Sequence, residues 1–406
     1  MEIIKMNVNA DLHIHSKYSA ATSKMMDLDT IAAEARRKGI HIVGTGDAFH
    51  PKWLEDLRRL PESDGIFRHD GMTGFVVTAE VEDLRGVHHL ILIPDISKAE
   101  ELREIFRKNS SNIDTDGRPK VMLTGAEIAD ACLEADCIIG PSHAFTPWTG
   151  IFAHHASLKE CYGDRAGDIS FIELGLSADS DYADRISELR DKTFLSNSDG
   201  HSPWSNKLGR EFNQFDIRDI SFQEIRLAIE HRSGRRPTLN VGFYPEEGKY
   251  NRTACTRCYK QYTMREMDER LGRCACGGSI KLGVRDRVEI LADLPHPVHP
   301  DHRPPYIHII PLAEIIAMAL DHKSVFTEGV KRIWRDLVAE RTEIDVLLHT
   351  EISELNTDER VARAIGAFRS GNVVLTPGGG GRYGRISLPT PGARSKAPSQ
   401  RSLMEF

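Results

Sequence analysis

Two short motifs in this chain pair metal-ligating side chains at an interval of two: Asp11-Leu12-His13-Ile14-His15-Ser16 and Asn197-Ser198-Asp199-Gly200-His201. Residues i and i+2 of an extended segment project to one face, so each motif offers two ligands to one point. Between the motifs, Asp47 and His50 follow HIVGTG, Glu80 follows FVVTA, His89 precedes LILIP and His143 follows CIIGPS. Imidazoles and carboxylates gathered in this number suit divalent cations that activate water for hydrolysis. Any one of these histidines alone would be an ordinary polar residue; a set at the ends of successive apolar stretches predicts a site.

The apolar stretches (HIVGTG, FVVTAE, HLILIP, CIIGPS, FIELGL, TFLSNS) alternate with amphipathic helical segments at 27–38, 98–108, 124–135 and 181–190. That alternation predicts a parallel α/β domain. Candidate catalytic groups at the carboxyl ends of its strands predict a barrel of the TIM type.

The segments DLHIHSKYS, GTGDAFHP, TAE, HHLIL, PSHAF and NSDGH resemble the PHP (polymerase and histidinol phosphatase) family. The resemblance implies an α/β fold, a distorted (β/α)7 barrel over residues 1–236, with two or three divalent metals (Zn²⁺, Mg²⁺ or Mn²⁺). It implies that His13, His15, Glu80 and Asp199 hold one metal, and that Glu80 bridges to a second held by His89 and His143. His50 and His201 would belong to a third. Ser19-Ala20-Ala21 stands where many members of the family carry an acidic residue or His, so Asp47 completes the third site or the site is empty. Neighbouring strand residues face opposite ways, so of His88 and His89 only His89 is expected to bind. Asp199, Glu80 and His143 are the expected catalytic residues.

Four of the seven cysteines cluster as Cys255-Thr-Arg-Cys258 and Cys274-Ala-Cys276, a spacing that predicts one structural zinc over residues 237–290. Cys132, Cys137 and Cys161 are scattered and expected to be buried as small hydrophobes, with no disulfides. Charge is uneven along the 406 residues. Residues 1–234 carry 27 Lys/Arg against 39 Asp/Glu, and residues 235–290 carry 12 against 7. An acidic barrel suits cations and a basic middle segment suits a polyanion. There Arg257, Lys260 and Tyr262, among further Arg and Tyr residues, could contact phosphates and stack on bases, although a solvated face has the same composition.

After a proline-rich loop, residues 291–388 turn helical (PLAEIIAMAL, VKRIWRDLVAE) and end in TPGGGGRYGR. Gly379 and Gly380 could offer N–H groups to a phosphate or base edge, and Arg382 and Tyr383 add charge and an aromatic face. No Gly-Lys-Ser/Thr follows, so this is not a P-loop. Residues 389–406 form a Pro/Ser/basic tail whose Gln400, Leu403 and Phe406 resemble a sliding-clamp-binding motif without its second aromatic. No window reaches the length of a membrane span and the N-terminus lacks an apolar signal region, which predicts a soluble, cytoplasmic protein; association with the nucleoid and a monomeric state are further expectations.

The order of barrel, four-cysteine element, helices and glycine-rich loop, over residues 8–388, resembles the endonuclease Q family of DNA repair enzymes. That resemblance implies damaged DNA as partner. It also implies nicking on the 5′ side of a deaminated base (uracil, hypoxanthine, xanthine) or an abasic site, and extrusion of the base before it is read. Two alternatives share parts of the pattern: a small-molecule phosphatase of the histidinol-phosphate type, and a non-catalytic DNA-binding adaptor.

Overall fold

The computed structural model describes residues 5–69 and 73–389. The clamp-type motif at Gln400, Leu403 and Phe406 lies outside the described residues.

The strand Met6–Asp11 pairs in parallel with Ile42–Gly44, and that strand with Thr73–Val76. The chain continues through Val77 into Thr78–Glu82, turns, and runs back antiparallel as His88–Leu92, which pairs antiparallel with Ile138–Pro141. Phe171–Glu173 and Thr193–Leu195 form a further parallel pair. On its other edge Met6–Asp11 meets Phe212–Ile217 antiparallel, followed by Arg236–Gly242 and then Tyr306–His308, so the sheet continues past residue 236. Side chains from these three sheets and the segment after the first strand (Val8, Leu12, Val76, Leu90, Leu92, Phe171, Leu195, Phe215) meet in one apolar cluster, which makes the arrangement a distorted barrel. The reversals at His88–Leu92 and Phe212–Ile217 break the parallel order that the sequence pattern predicts. Phe222, Ile225 and Ile229 of the helix Phe222–Ile229 pack into the same cluster.

Three of the predicted helices form with their caps: Leu28–Lys38 on Asp27, Ile96–Arg107 on Asp95, and Gly125–Glu134 on a Thr124/Glu127 capping box. The fourth, 181–190, does not. Its residues form only the short turns Ser180–Ala183 and Ser187–Leu189. Tertiary bonds hold them there. Buried Asp184 accepts from Arg303 and His299, and the Ser187 N–H donates to Asp293.

The helices Leu312–Ala319, Glu328–Leu337 and Glu359–Arg369 pack beside the barrel. One buried ion pair ties the two together. Lys38 Nζ lies 2.8 Å from Glu343 Oε1, both side chains being 2% exposed, while Glu343 Oε2 accepts from Trp334 Nε1 at 2.6 Å. Among the described residues no helix is long and apolar enough to cross a membrane. Removing one partner of a buried pair leaves the other charge uncompensated, at a cost of about 3 kcal/mol. Lys38→Met is therefore expected to lower the free energy of unfolding read from a urea titration by an amount of that order, measured against the unaltered chain.

Candidate metal centre

The end of the first strand is tied to the 197–201 loop: Leu12 N–H donates to Asn197 Oδ1 and His15 N–H to the Gly200 carbonyl, both at 2.9 Å. His13, His15 and Asp199 thereby converge. The crossing is tight at Gly46, which has φ +71° and where a Cβ would overlap the Ile14 carbonyl oxygen. Asp199 (φ +47°) and His143 (φ +29°) take left-handed backbone conformations that side-chain-bearing residues rarely adopt, as strained site residues often do.

Glu80, fully buried, stands at the centre. Its Oε2 is 3.3 Å from His15 Nε2 and 3.4 Å from Arg118 Nη1. Its Oε1 is 3.0 Å from His88 Nδ1, 3.1 Å from His143 Nε2 and 3.6 Å from His13 Nε2. Asp199 Oδ1 lies 3.3 Å from His15 Nε2. Burial alone would raise both carboxyls. The charges of His88 and His13 hold Glu80 well below the usual carboxylate range, and the His15 imidazole 3.3 Å away, with the charges of His13 and His201, does the same for Asp199.

Behind the imidazoles stand two more carboxylates. The His13 Nδ1–H donates to Glu173 at 2.9 Å and the His15 Nδ1–H to Asp47 at 2.8 Å. Without a cation the nearby carboxylates favour the charged form of both rings; a bound cation would displace the Nε2 protons, keep those on Nδ1 and meet the Nε2 lone pairs at the centre, where His13 Nε2, His15 Nε2 and Asp199 Oδ1 are buried with no well-formed hydrogen bond. Orphaned acceptors aimed at one another are the electronic complement of a cation, so the residues fit divalent metal. His13, His15 and Asp199 could hold one ion, and Glu80, His88 and His143 another.

In the middle segment the four cysteine sulfurs gather within 4.8 Å, with Cys255–Cys276 and Cys258–Cys274 each 3.5 Å apart. A tetrahedron with metal–sulfur bonds of about 2.3 Å has edges of about 3.8 Å. Four thiolates close such a site, so it is structural. The Tyr262 hydroxyl, 3.0 Å from its sulfur, pulls the Cys274 thiol down to about 6.

Comparisons with known proteins agree with this architecture. Residues 311–372 match the family model described as the MJ0043 C-terminal domain. The uncharacterized protein MJ0043 of Methanocaldococcus jannaschii is 43% identical over 254 residues, which is 61% of this chain and 31% of that protein. The match thus spans about a third of that relative. The lesion-specific endonuclease PfuEndoQ of Pyrococcus furiosus superimposes with a TM-score of 0.91 at 47% identity, over 96% of this chain and 98% of its own. Endonuclease Q in complex with a 27-mer duplex bearing an abasic lesion at the active site gives 0.90 and 46%, over 96% and 99%. This chain belongs to the endonuclease Q family.

Within this family member several expected residues stand elsewhere. His89 is not with His143 and Glu80; His88 is. The pairing is Glu82 opposite His88 and Val81 opposite His89, so Glu80, Glu82 and His88 share one face of the ladder. His89 points the other way, to Tyr162 Oη at 2.7 Å and Asp83 at 3.4 Å, beside Cys161. Asp47 does not face the centre as a ligand but accepts from His15, Ser16 N and Ser16 Oγ. His201 lies close, its ring 4.5 Å from His15, whereas His50 stacks on Tyr18 at 4.4 Å. Neither joins a group of three or more candidate ligands among the described residues.

On the expected DNA surface, Arg257, Lys260, Arg382 and Tyr383 are exposed, but Tyr262 is buried against the cysteines. Gly379 and Gly380 are also buried: the Gly379 N–H is taken by the Arg382 carbonyl, and a Cβ at Gly380 would meet the Cys255 carbonyl at 2.2 Å. These glycines let the loop press onto the cysteine element, and Gly379 has no N–H left for a phosphate.

The sequence reading missed Glu173, His88 and Arg118. Glu173 carried the same signal as the others, an acid ending the apolar stretch FIEL. Arg118 had none, since only the folded loop carries it to Glu80. Losing an outer carboxylate of this kind weakens metal binding by about 10- to 100-fold. Glu173→Gln is expected to do so for the barrel, with the secondary structure retained, as read by metal titration and circular dichroism.

Proposed function

We propose that this chain is a divalent-metal-dependent endonuclease that nicks DNA at lesions, cutting on the 5′ side of a deaminated base (uracil, hypoxanthine or xanthine) or an abasic site. The observation that carries the reading is near full-length likeness to two endonuclease Q structures, one with an abasic duplex at its active site, in a chain that keeps a buried cluster of orphaned imidazole nitrogens. Zn²⁺, Mg²⁺ or Mn²⁺ held there would lower the pKa of water and offset charge on the attacking and leaving oxygens of an in-line displacement.

The chain's own residues supply the positioning. Glu173 and Asp47 fix the imidazoles of His13 and His15. Asp199, ionised and with its side chain 30% exposed while Glu80 has no exposed surface, is the carboxylate placed to orient the attacking water. Arg118, 27% exposed and 3.4 Å from Glu80, is placed to meet a phosphate oxygen. The four cysteines would hold one structural Zn²⁺, and the tail at Gln400, Leu403 and Phe406 would dock on a ring-shaped sliding clamp. A small-molecule phosphatase would share the barrel but has no use for the cysteine element or the glycine-rich loop packed on it.

The test is a labelled duplex carrying one uracil, hypoxanthine or abasic site, incubated with each metal and mapped for the cut. Nicking of the lesion strand with sparing of its undamaged equivalent is expected, and equal rates on both would sink the reading. Asp199→Asn should reduce nicking by at least a thousandfold while leaving binding of lesion DNA close to normal. Cys258→Ser should remove one zinc per chain by elemental analysis and loosen the middle segment; unchanged zinc content would remove the cysteines from metal binding.

A further inference from the structure

Trp148 is an unusual residue to find at the surface. It is 56% exposed and takes φ +89°, an outlying conformation for a bulky side chain. Its carbonyl is held by His154 Nε2 at 2.6 Å. It does not serve as core: beneath it lies a cavity of about 220 Å³, lined by Phe145, Pro147, Phe152, Lys281 and Arg287.

Its position ties it to the metal cluster. His143 precedes it by five residues on the same loop, and the carbonyl of the next residue, Thr149, accepts from the backbone N–H of His88 at 3.0 Å. The backbone on either side of Trp148 is therefore anchored to the cluster, and its indole meets the cysteine element at Lys281. From there a line of aromatic rings and cations runs outward. Lys281 Nζ lies 3.5 Å from the Trp148 ring centre, and the Tyr250 ring stands edge-on to the indole at 6.2 Å. Lys249 bridges Tyr250 and the exposed ring of Tyr383, at 5.9 and 5.5 Å.

Rings alternating with ammonium groups match a nucleic-acid strand, in which flat bases alternate with phosphates. A single base withdrawn from a duplex leaves a gap between its neighbours, and closing that gap with an aromatic surface offsets the lost stacking. We propose that Trp148 stacks into the duplex at the position vacated by the nucleotide presented to the metal cluster, with Lys281 and Lys249 on the flanking phosphates. This rests on the endonuclease reading above and adds to it the residue that stabilises the opened duplex.

The experiment uses the full chain loaded with metal, as wild type, Trp148→Ala and Trp148→Phe, on a uracil strand presented single-stranded and paired, with 2-aminopurine opposite the uracil in the duplex. A single strand has no gap to fill. Trp148→Ala is expected to lower the duplex rate by about tenfold more than the single-strand rate, and Trp148→Phe to recover most of that difference. The 2-aminopurine should stay quenched under the wild type and brighten under Trp148→Ala. An Ala variant with the wild-type ratio of duplex to single-strand rates and the wild-type fluorescence overturns the proposal, as does an equal loss on both substrates, which marks a merely structural residue. If the wild type nicks neither substrate, the endonuclease reading itself fails, and the fluorescence of the bound duplex still reports on Trp148.

Discussion

A carboxylate with no exposed surface sits within 3.6 Å of four imidazoles and an arginine, and the barrel is arranged around it. Glu80 alone in that position would be neutral, because burying an unpaired charge costs far more than a fold can spare. Its neighbours reverse the balance and keep it ionised. The same neighbours bring unpartnered nitrogen and oxygen acceptors together, a condition that divalent cations relieve by replacing the imidazole protons. The charge of Glu80 thus explains why the chain brings four strand ends and two loops to one point.

Holding that point requires outer partners and some backbone strain. Glu173 accepts from His13, from the His143 N–H and from Asn197, so one side chain sets the relation of three strand ends. Asp47 does the same for His15 and Ser16. Asp199 and His143 are kept in left-handed conformations by this network. The apolar cluster of Val8, Leu12, Val76, Leu90 and Phe215 supplies the rigid base beneath.

The other parts of the chain are fastened to the barrel by buried polar contacts. Lys38–Glu343 locks the helices, Arg303–Asp184 pins the proline-rich loop, and the backbone of Gly378–Gly384 presses onto residues 246–255. Because the glycine-rich loop uses close backbone approach, its exposed Arg382 and Tyr383 are presented from a fixed platform. That platform adjoins Lys249, whose neighbour Tyr250 meets Trp148, so one surface is built from three distant stretches of chain.

Much was legible along the sequence because its physics is local. The two-residue spacing of His13 and His15 sets a common face wherever the segment is extended, and the cysteine spacing closes a tetrahedron with little help from elsewhere. Capping residues at Asp27, Asp95 and Thr124 start helices by bonds to their own neighbours. Other outcomes depended on partners far along the chain. Whether His88 or His89 turns inward is a question of register against Thr78–Glu82, and a shift of one residue exchanges the faces. Whether Asp47 meets an ion or a histidine, whether Tyr262 meets DNA or a cysteine sulfur, and whether 181–190 completes a helix were likewise settled by long-range hydrogen bonds. The sequence by itself determined which side chains could bind a cation. Only the tertiary structure decided which of them share a face, because strand pairing and packing are set between residues that the chain keeps apart.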